Sequence, residues 1–219
     1  TPVEAGLLGR VPLGNDINPL SVTMTRPRLH PPTLAQVERR LSDIDLNAPA
    51  DQPEDLLVFY HPETLRGISS IKRYLLQRRQ EEALDTVDEW IALVALNRLT
   101  GHSPGFFSVY TLPPNQAVSV KSQRKINERR QQTPPPRHVA PLILRKSKQL
   151  LGNLDPAARA TLAGVAQDAV LLTGPAHATP ALAASSVDPV GTSPPFLNVG
   201  QYEVDNWLRC WFLGIDSQS

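Results

Sequence analysis

Hydrophobic positions recur at helical spacing through most of this chain and give way to short apolar runs near its two ends. Leu34, Val37, Leu41 and Ile44 share one face of a segment that Thr33 is placed to cap, which predicts a helix over 34–44. Leu65, Ile68, Ile71, Leu75 and Leu76 predict another over 64–80. Val87, Trp90, Ile91, Val94, Ala95 and Leu99 predict a third over 85–99, stopped by Gly101. Next come a polar helix over 118–131 and a basic amphipathic one over 139–151, separated by the stiff Thr133-Pro134-Pro135-Pro136. Asp155-Pro156, an N-cap with proline at the first helical position, opens a short alanine-rich helix. A last helix over 201–213 carries Tyr202, Trp207, Trp211 and Phe212.

The ends read differently. Residues 3–8 predict a short helix closed by Gly9, and 11–13 a brief strand ending at Gly14-Asn15-Asp16. A helix start over 19–25 is expected, closed by Pro27, Pro31 and Pro32. Residues 106–110, 169–173 and 187–192 read as extended.

Composition narrows the class. Hydrophobic residues make up 41% of 219 and charged residues 20%, enough to bury a core. No apolar run approaches the roughly 18 residues that a membrane-spanning helix needs. Cys210 is the single cysteine, which leaves no disulfide framework and no thiolate cluster for zinc, and suits a reducing cytoplasm. No metal site is expected. The chain opens at Thr1, within what reads as a helix, and is expected to be a fragment.

The sharpest chemical signal is Ser193-Pro194-Pro195-Phe196. It resembles the (Asn/Asp/Ser)-Pro-Pro-(aromatic) motif of amino-methylating (cytosine-N4 or adenine-N6) S-adenosylmethionine-dependent DNA methyltransferases. An exocyclic amino group is a poor nucleophile because its lone pair is delocalised into the ring. Two acceptors aimed at its protons favour a pyramidal nitrogen that can attack a sulfonium methyl. The resemblance implies that these acceptors are the Ser193 side chain and the Pro194 carbonyl, with Pro195 stiffening the backbone. It also implies that Phe196 stacks on a base extruded from the duplex.

A second segment stands in the order this family requires. Gly14-Asn15-Asp16-Ile17-Asn18-Pro19 resembles the end of the family's second strand, where a carboxylate hydrogen-bonds the cofactor ribose. Asp16 is the matching residue, with Asn18 beside it as a cofactor-binding candidate. Residues 1–10 resemble the helix after the family's glycine-rich cofactor loop, and 202–212 resemble the segment after the Pro-Pro motif. Three features depart from the pattern. The 219 residues hold no glycine-rich loop. Pro189 and Gly191 interrupt the strand expected before the tetrapeptide. Pro175 stands where the third strand usually ends in a carboxylate near the adenine.

The net charge of +1 hides an uneven distribution. Lys121, Arg124, Lys125, Arg129, Arg130, Arg137, Arg145, Lys146 and Lys148 stand against Glu128 alone in residues 121–148. Such a stretch can neutralise DNA phosphates, and Lys121, Arg124, Lys125, Arg129 and Arg130 are the primary DNA-binding candidates. Gln123, Asn127, Gln131 and Gln132 are candidates to read base edges. Arg66, Lys72, Arg73, Arg78 and Arg79 form a second basic group.

These readings combine into one expectation. The fold is α/β, a partial Rossmann-like methyltransferase sheet interrupted by a large, mainly helical insertion. Residues 1–32 form the first part of the methyltransferase domain, 33–165 the helical insertion and candidate DNA-contacting region, and 166–219 the second part. The function implied is methyl transfer from S-adenosylmethionine to an exocyclic amino group in DNA, in restriction-modification or phage self-protection. Serine at the first motif position leans toward cytosine N4 over adenine N6. A non-catalytic DNA-binding relic and an RNA-directed methylase are the alternatives. The oligomeric state is not legible.

Overall fold

The computed structural model describes residues 1–111, 118–177, 179–192 and 202–215. The chain is mixed α/β and mostly helical, with a two-stranded parallel sheet among the described residues. Helix α1 (Pro2–Leu7) precedes β1 (Leu13–Asp16) and α2 (Pro19–Leu29). Then come α3 (Leu34–Asp43), a 3-10 turn (Glu54–Val58), α4 (Pro62–Gln80) and α5 (Thr86–Leu96). Helices α6 (Val120–Arg130), α7 (Val139–Leu151) and α8 (Pro156–Ala166) lead into β2 (Val170–Thr173), and α9 (Tyr202–Leu213) comes last.

The helix starts are where the polar caps put them. Thr33 accepts from the Gln36 backbone while Gln36 reaches back, a full capping box. Asp85 and Asp88 make the same reciprocal arrangement at α5, and Asp155 caps α8 through Ala158. Helix α5 is apolar on nearly every side, with 87, 88 and 90–96 all buried, so it forms the centre of the helical core. Around it pack α2, α3 and α7, while α4 packs on α7 and α9. Phe59, Tyr60, Ile71, Ile91, Phe107, Ile143 and Phe212 fill this core.

A second, smaller core gathers the α/β part. Leu29, Leu162 and Ala166 are buried there, with Val3, Leu7, Leu154 and Leu171 against them. At Gly6 a Cβ would stand 3.0 Å from Leu162 Cδ2, so the missing side chain lets α1 approach α8. Contacts join the two cores. Helix α8 packs with α1 and α2, α9 packs on α4 of the helical core, and α2 serves both cores through Leu20 and Leu29.

Strand β1 pairs in parallel with β2, Leu13 opposite Val170 through Asp16 opposite Thr173. The sequence expectation of a strand over 11–13 is displaced toward the carboxyl end. Pro12 has no N–H to give a ladder and only accepts, from Val170 N at 3.1 Å, so regular pairing starts at Leu13. Of the three prolines expected to close α2, Pro27 does not stop it, and the helix ends short of Pro31 and Pro32. The helix continues to Leu29, because burial of Pro27 and Leu29 outweighs the lost backbone bond. Residues 187–192 form no strand. Pro189 lacks a donor, Gly191 adds no packing, and Val190 is 82% exposed. Residues 106–110 are bent and not extended, with one bridge between Tyr110 and Gly101.

Candidate cofactor and nucleic-acid sites

The parallel pair ends in a cluster of polar groups. Asp16 closes β1, and its carbonyl accepts from Gly174 N at 3.0 Å just past the end of β2. The Asp16 carboxylate faces the start of α2. Its Oδ1 accepts from Asn18 N at 2.9 Å and its Oδ2 from Ser21 Oγ at 2.6 Å. Asn18 caps α2 in turn, its Oδ1 accepting from Leu20 N at 2.9 Å. The carboxylate therefore sits, exposed, at a helix N-terminus, where the helix dipole favours negative charge. Asn15 donates through Nδ2 to the Pro175 carbonyl at 3.3 Å, while its Oδ1 is buried without a partner. The sequence points to Asp16 and Asn18 but carries no signal for Ser21 or Asn15, whose roles depend on how α2 and β2 pack.

The tetrapeptide Ser193, Pro194, Pro195 and Phe196 lies outside the described residues. The helix after it, α9, is anchored to α4 and to Phe59 at the end of the 3-10 turn. Trp207 packs against Phe59 with ring centroids 5.9 Å apart, Lys72 Nζ stands 4.5 Å over the Trp211 ring, and Arg79 donates to the Leu213 carbonyl at 2.8 Å.

The basic residues divide into free and engaged groups. On α6, Lys121, Arg124, Lys125, Arg129 and Arg130 are all exposed on the solvent face. Arg124 pairs with Asp55 at 3.1 Å, and the Arg130 guanidinium lies 3.8 Å from the centre of the Tyr110 ring. The amides expected to read base edges are used inside the protein. Gln123 is fully buried and donates to the Tyr110 carbonyl at 3.0 Å, Asn127 donates to the Val58 carbonyl at 2.8 Å, and Gln132 donates to Tyr110 at 3.1 Å. They pin the 101–110 loop to α6 and the 3-10 turn. Of the four, Gln131 stays exposed.

Four members of the second basic group, Lys72, Arg73, Arg78 and Arg79, are engaged within the fold. Arg78 donates through Nε to the fully buried Asp88 Oδ2 at 2.6 Å, and Arg40 binds both Asp88 and Asp85, the latter at 2.6 Å. Burial alone would raise the Asp85 carboxyl, but its hydrogen bond to Arg40 and the neighbouring backbone donors hold it below the usual carboxylate range. Arg73 donates to the Pro49 carbonyl at 2.6 Å. Arg66 makes no ion pair with a described carboxylate.

His61 caps α4 through Nδ1 and His30 meets the Ala166 carbonyl at 3.3 Å. Among the described residues no three His, Cys, Asp or Glu side chains gather into a metal-binding group, and no helix is long and apolar enough to cross a membrane. No family model matches the chain, and no curated protein or solved structure shows significant similarity to it.

Proposed function

We propose that this chain belongs to an S-adenosylmethionine-dependent DNA methyltransferase that modifies an exocyclic amino group, cytosine N4 before adenine N6. The observation that carries the reading is the parallel pairing of β1 with β2. In a doubly wound sheet of order 3-2-1-4-5-6, the second and third strands are parallel neighbours, and ligands lie outside their carboxyl ends. The motif order makes β1 the second strand and β2 the third, and Asp16 stands at the carboxyl end of β1. We infer a Rossmann-like sheet of which these are two strands, with the helical core inserted in the crossover between them.

The residues present suit the ribose end of the cofactor. Each Asp16 oxygen uses one acceptor position within α2 and keeps another for a ribose hydroxyl. At the adenine end Pro175 supplies no carboxylate, so recognition of that ring falls to other groups. When bound, the cofactor supplies an electrophilic methyl on a sulfonium. The protein's part is orientation. Ser193 and the Pro194 carbonyl would accept hydrogen bonds from the amino N–H groups, the two prolines would stiffen the backbone that aims that carbonyl, and Phe196 would stack on the base. The exposed cations of α6 hold the duplex backbone.

One observation favours a second reading, a DNA-binding protein without transfer activity: residues 187–192 make no strand to present the tetrapeptide. Incubating the intact gene product with duplex DNA and cofactor tritiated at the methyl separates the two. Tritium entering DNA supports transfer. Binding without incorporation supports the second reading.

A further inference from the structure

Two cations that stand far apart in the sequence, Arg98 and Arg145, meet beside Gly105 in the loop 101–110, with Lys146 next to Arg145. Arg98 lies just past the end of α5, and Arg145 and Lys146 lie on α7. Arg98 is held rigidly. Its Nε donates to the Asn97 carbonyl at 2.7 Å, and its guanidinium lies 4.1 Å from the centre of the Phe106 ring. A Cβ built on Gly105 would stand 3.5 Å from Arg145 Nη2, 3.9 Å from Arg98 Nη1 and 3.5 Å from Ser103 Oγ. Two guanidinium groups and a hydroxyl thus stand around the space beside Gly105, a notch that a Cβ there would occupy at ordinary contact distance.

None of Arg98, Arg145 and Lys146 makes an ion pair with a carboxylate among the described residues. Burial lowers the proton affinity of the Arg98 guanidinium, and Arg145 lowers it further. Lys146 is depressed in the same way, by burial and then by Arg98. Like charges kept together and partly dehydrated are stabilised by an anion that accepts from both forks. The loop itself is fixed to the core, since Phe107 N donates to the Arg98 carbonyl at 2.8 Å and Val109 N to the Phe59 carbonyl at 2.9 Å.

The notch also continues toward α6. Phe106 neighbours His102 at 6.3 Å, His102 neighbours Tyr110 at 6.4 Å, and Arg130 covers Tyr110 at 3.8 Å. A run of rings therefore connects the Arg98–Arg145 notch to the exposed cations of α6. We propose that Arg98 and Arg145 bind a backbone phosphate of duplex DNA beside Gly105, and that the strand runs along the 101–110 loop to Arg130. Assignment to DNA rests on the proposed function; the convergence of the two guanidinium groups does not.

The test is the salt dependence of binding by the intact gene product to a short labelled duplex. Arg98→Gln with Arg145→Gln is expected to weaken binding at least tenfold at low salt. It should also reduce the slope of log affinity against log salt by about 0.9 for the one phosphate lost. Gly105→Ala keeps the charge and fills the notch, so it should weaken binding as well. If Arg98→Gln fails to fold by circular dichroism, Arg145→Gln alone is read with Gly105→Ala. Wild-type affinity and slope in both variants would overturn the proposal, and so would a loss confined to single-stranded RNA. If the wild type transfers no methyl while these variants still lose duplex affinity, the notch stands and the methyltransferase reading falls. Transfer by the wild type with unchanged binding by the variants sinks the notch alone.

Discussion

Ser21 donates a 2.6 Å hydrogen bond to Oδ2 of Asp16, so the first turn of α2 fixes the carboxylate at the end of β1. As the proposed ligand of the cofactor ribose, this carboxylate has a measurable part in binding. Asp16→Ala should weaken cofactor binding by the intact gene product at least tenfold, the loss expected for about 1.4 kcal/mol of charge-assisted hydrogen bonding. Ser21→Ala leaves the carboxylate present but free to rotate, so its effect should be smaller and of the same sign. Titration calorimetry with cofactor measures both. Equal affinity in Asp16→Ala and wild type would remove Asp16 from the site.

Asp88 is fully buried between Arg40 and Arg78 and also accepts from Tyr74 at 3.0 Å. Removing one member of a buried ion network leaves its partners uncompensated, which costs about 3 kcal/mol. Asp88→Asn should lower the urea midpoint accordingly, with the slope unchanged. A loss below about 1 kcal/mol would show that Asp85 and water compensate the two arginines.

The pH dependence of stability should carry a mark of Asp85. Its carboxyl is held below its unfolded value near 3.9, so its contribution is complete above about pH 4 and is lost as pH falls through the lower folded value. Asp85→Asn retains a good N-cap for α5 while deleting the charge. The variant should be less stable than wild type at neutral pH, and the gap should narrow in acid. Denaturant curves at several pH values check this; a constant gap would contradict it.

The solvent face of α6 should be read by salt. Replacing Lys121, Lys125, Arg129 and Arg130 with alanine should flatten the salt slope of DNA binding by about 0.9 for each phosphate contact removed. Arg124→Ala should change it least, because Asp55 already pairs with that side chain. Gln123→Ala should lower stability and leave sequence preference alone, since its amide is buried against the Tyr110 carbonyl.

The helices were legible because each arises from local terms: apolar spacing for α3, α4 and α5, and caps at Thr33, Asp85 and Asp155. The short strand before Asp16 was legible from the brief apolar run at 11–13, and the helix after it from Pro19. What could not be read was everything decided by partners distant in sequence. Gln123 and Asn127 look like surface amides on a polar helix until the 101–110 loop and the 3-10 turn arrive to take their donors. Arg78 and Arg79 look like a basic surface until Asp88 and the end of α9 are packed beside them. Arg98 reads as the tail of α5, and only the position of α7 brings Arg145 to the same side of Gly105. The strand limits moved for a simpler reason: Pro12 and Pro189 cannot donate to a ladder.

The most direct measurement is nucleoside mass spectrometry of DNA from cells that express the intact gene product or its Ser193→Ala variant. Ser193 is assigned an acceptor role during attack, so its loss should appear in turnover and not in DNA affinity. A methyltransferase of the proposed kind leaves N4-methylcytosine in DNA from cells carrying the wild-type protein, and much less with Ser193→Ala at equal duplex binding. Equal methylation by both proteins, or no methylated cytosine or adenine with either, would contradict it.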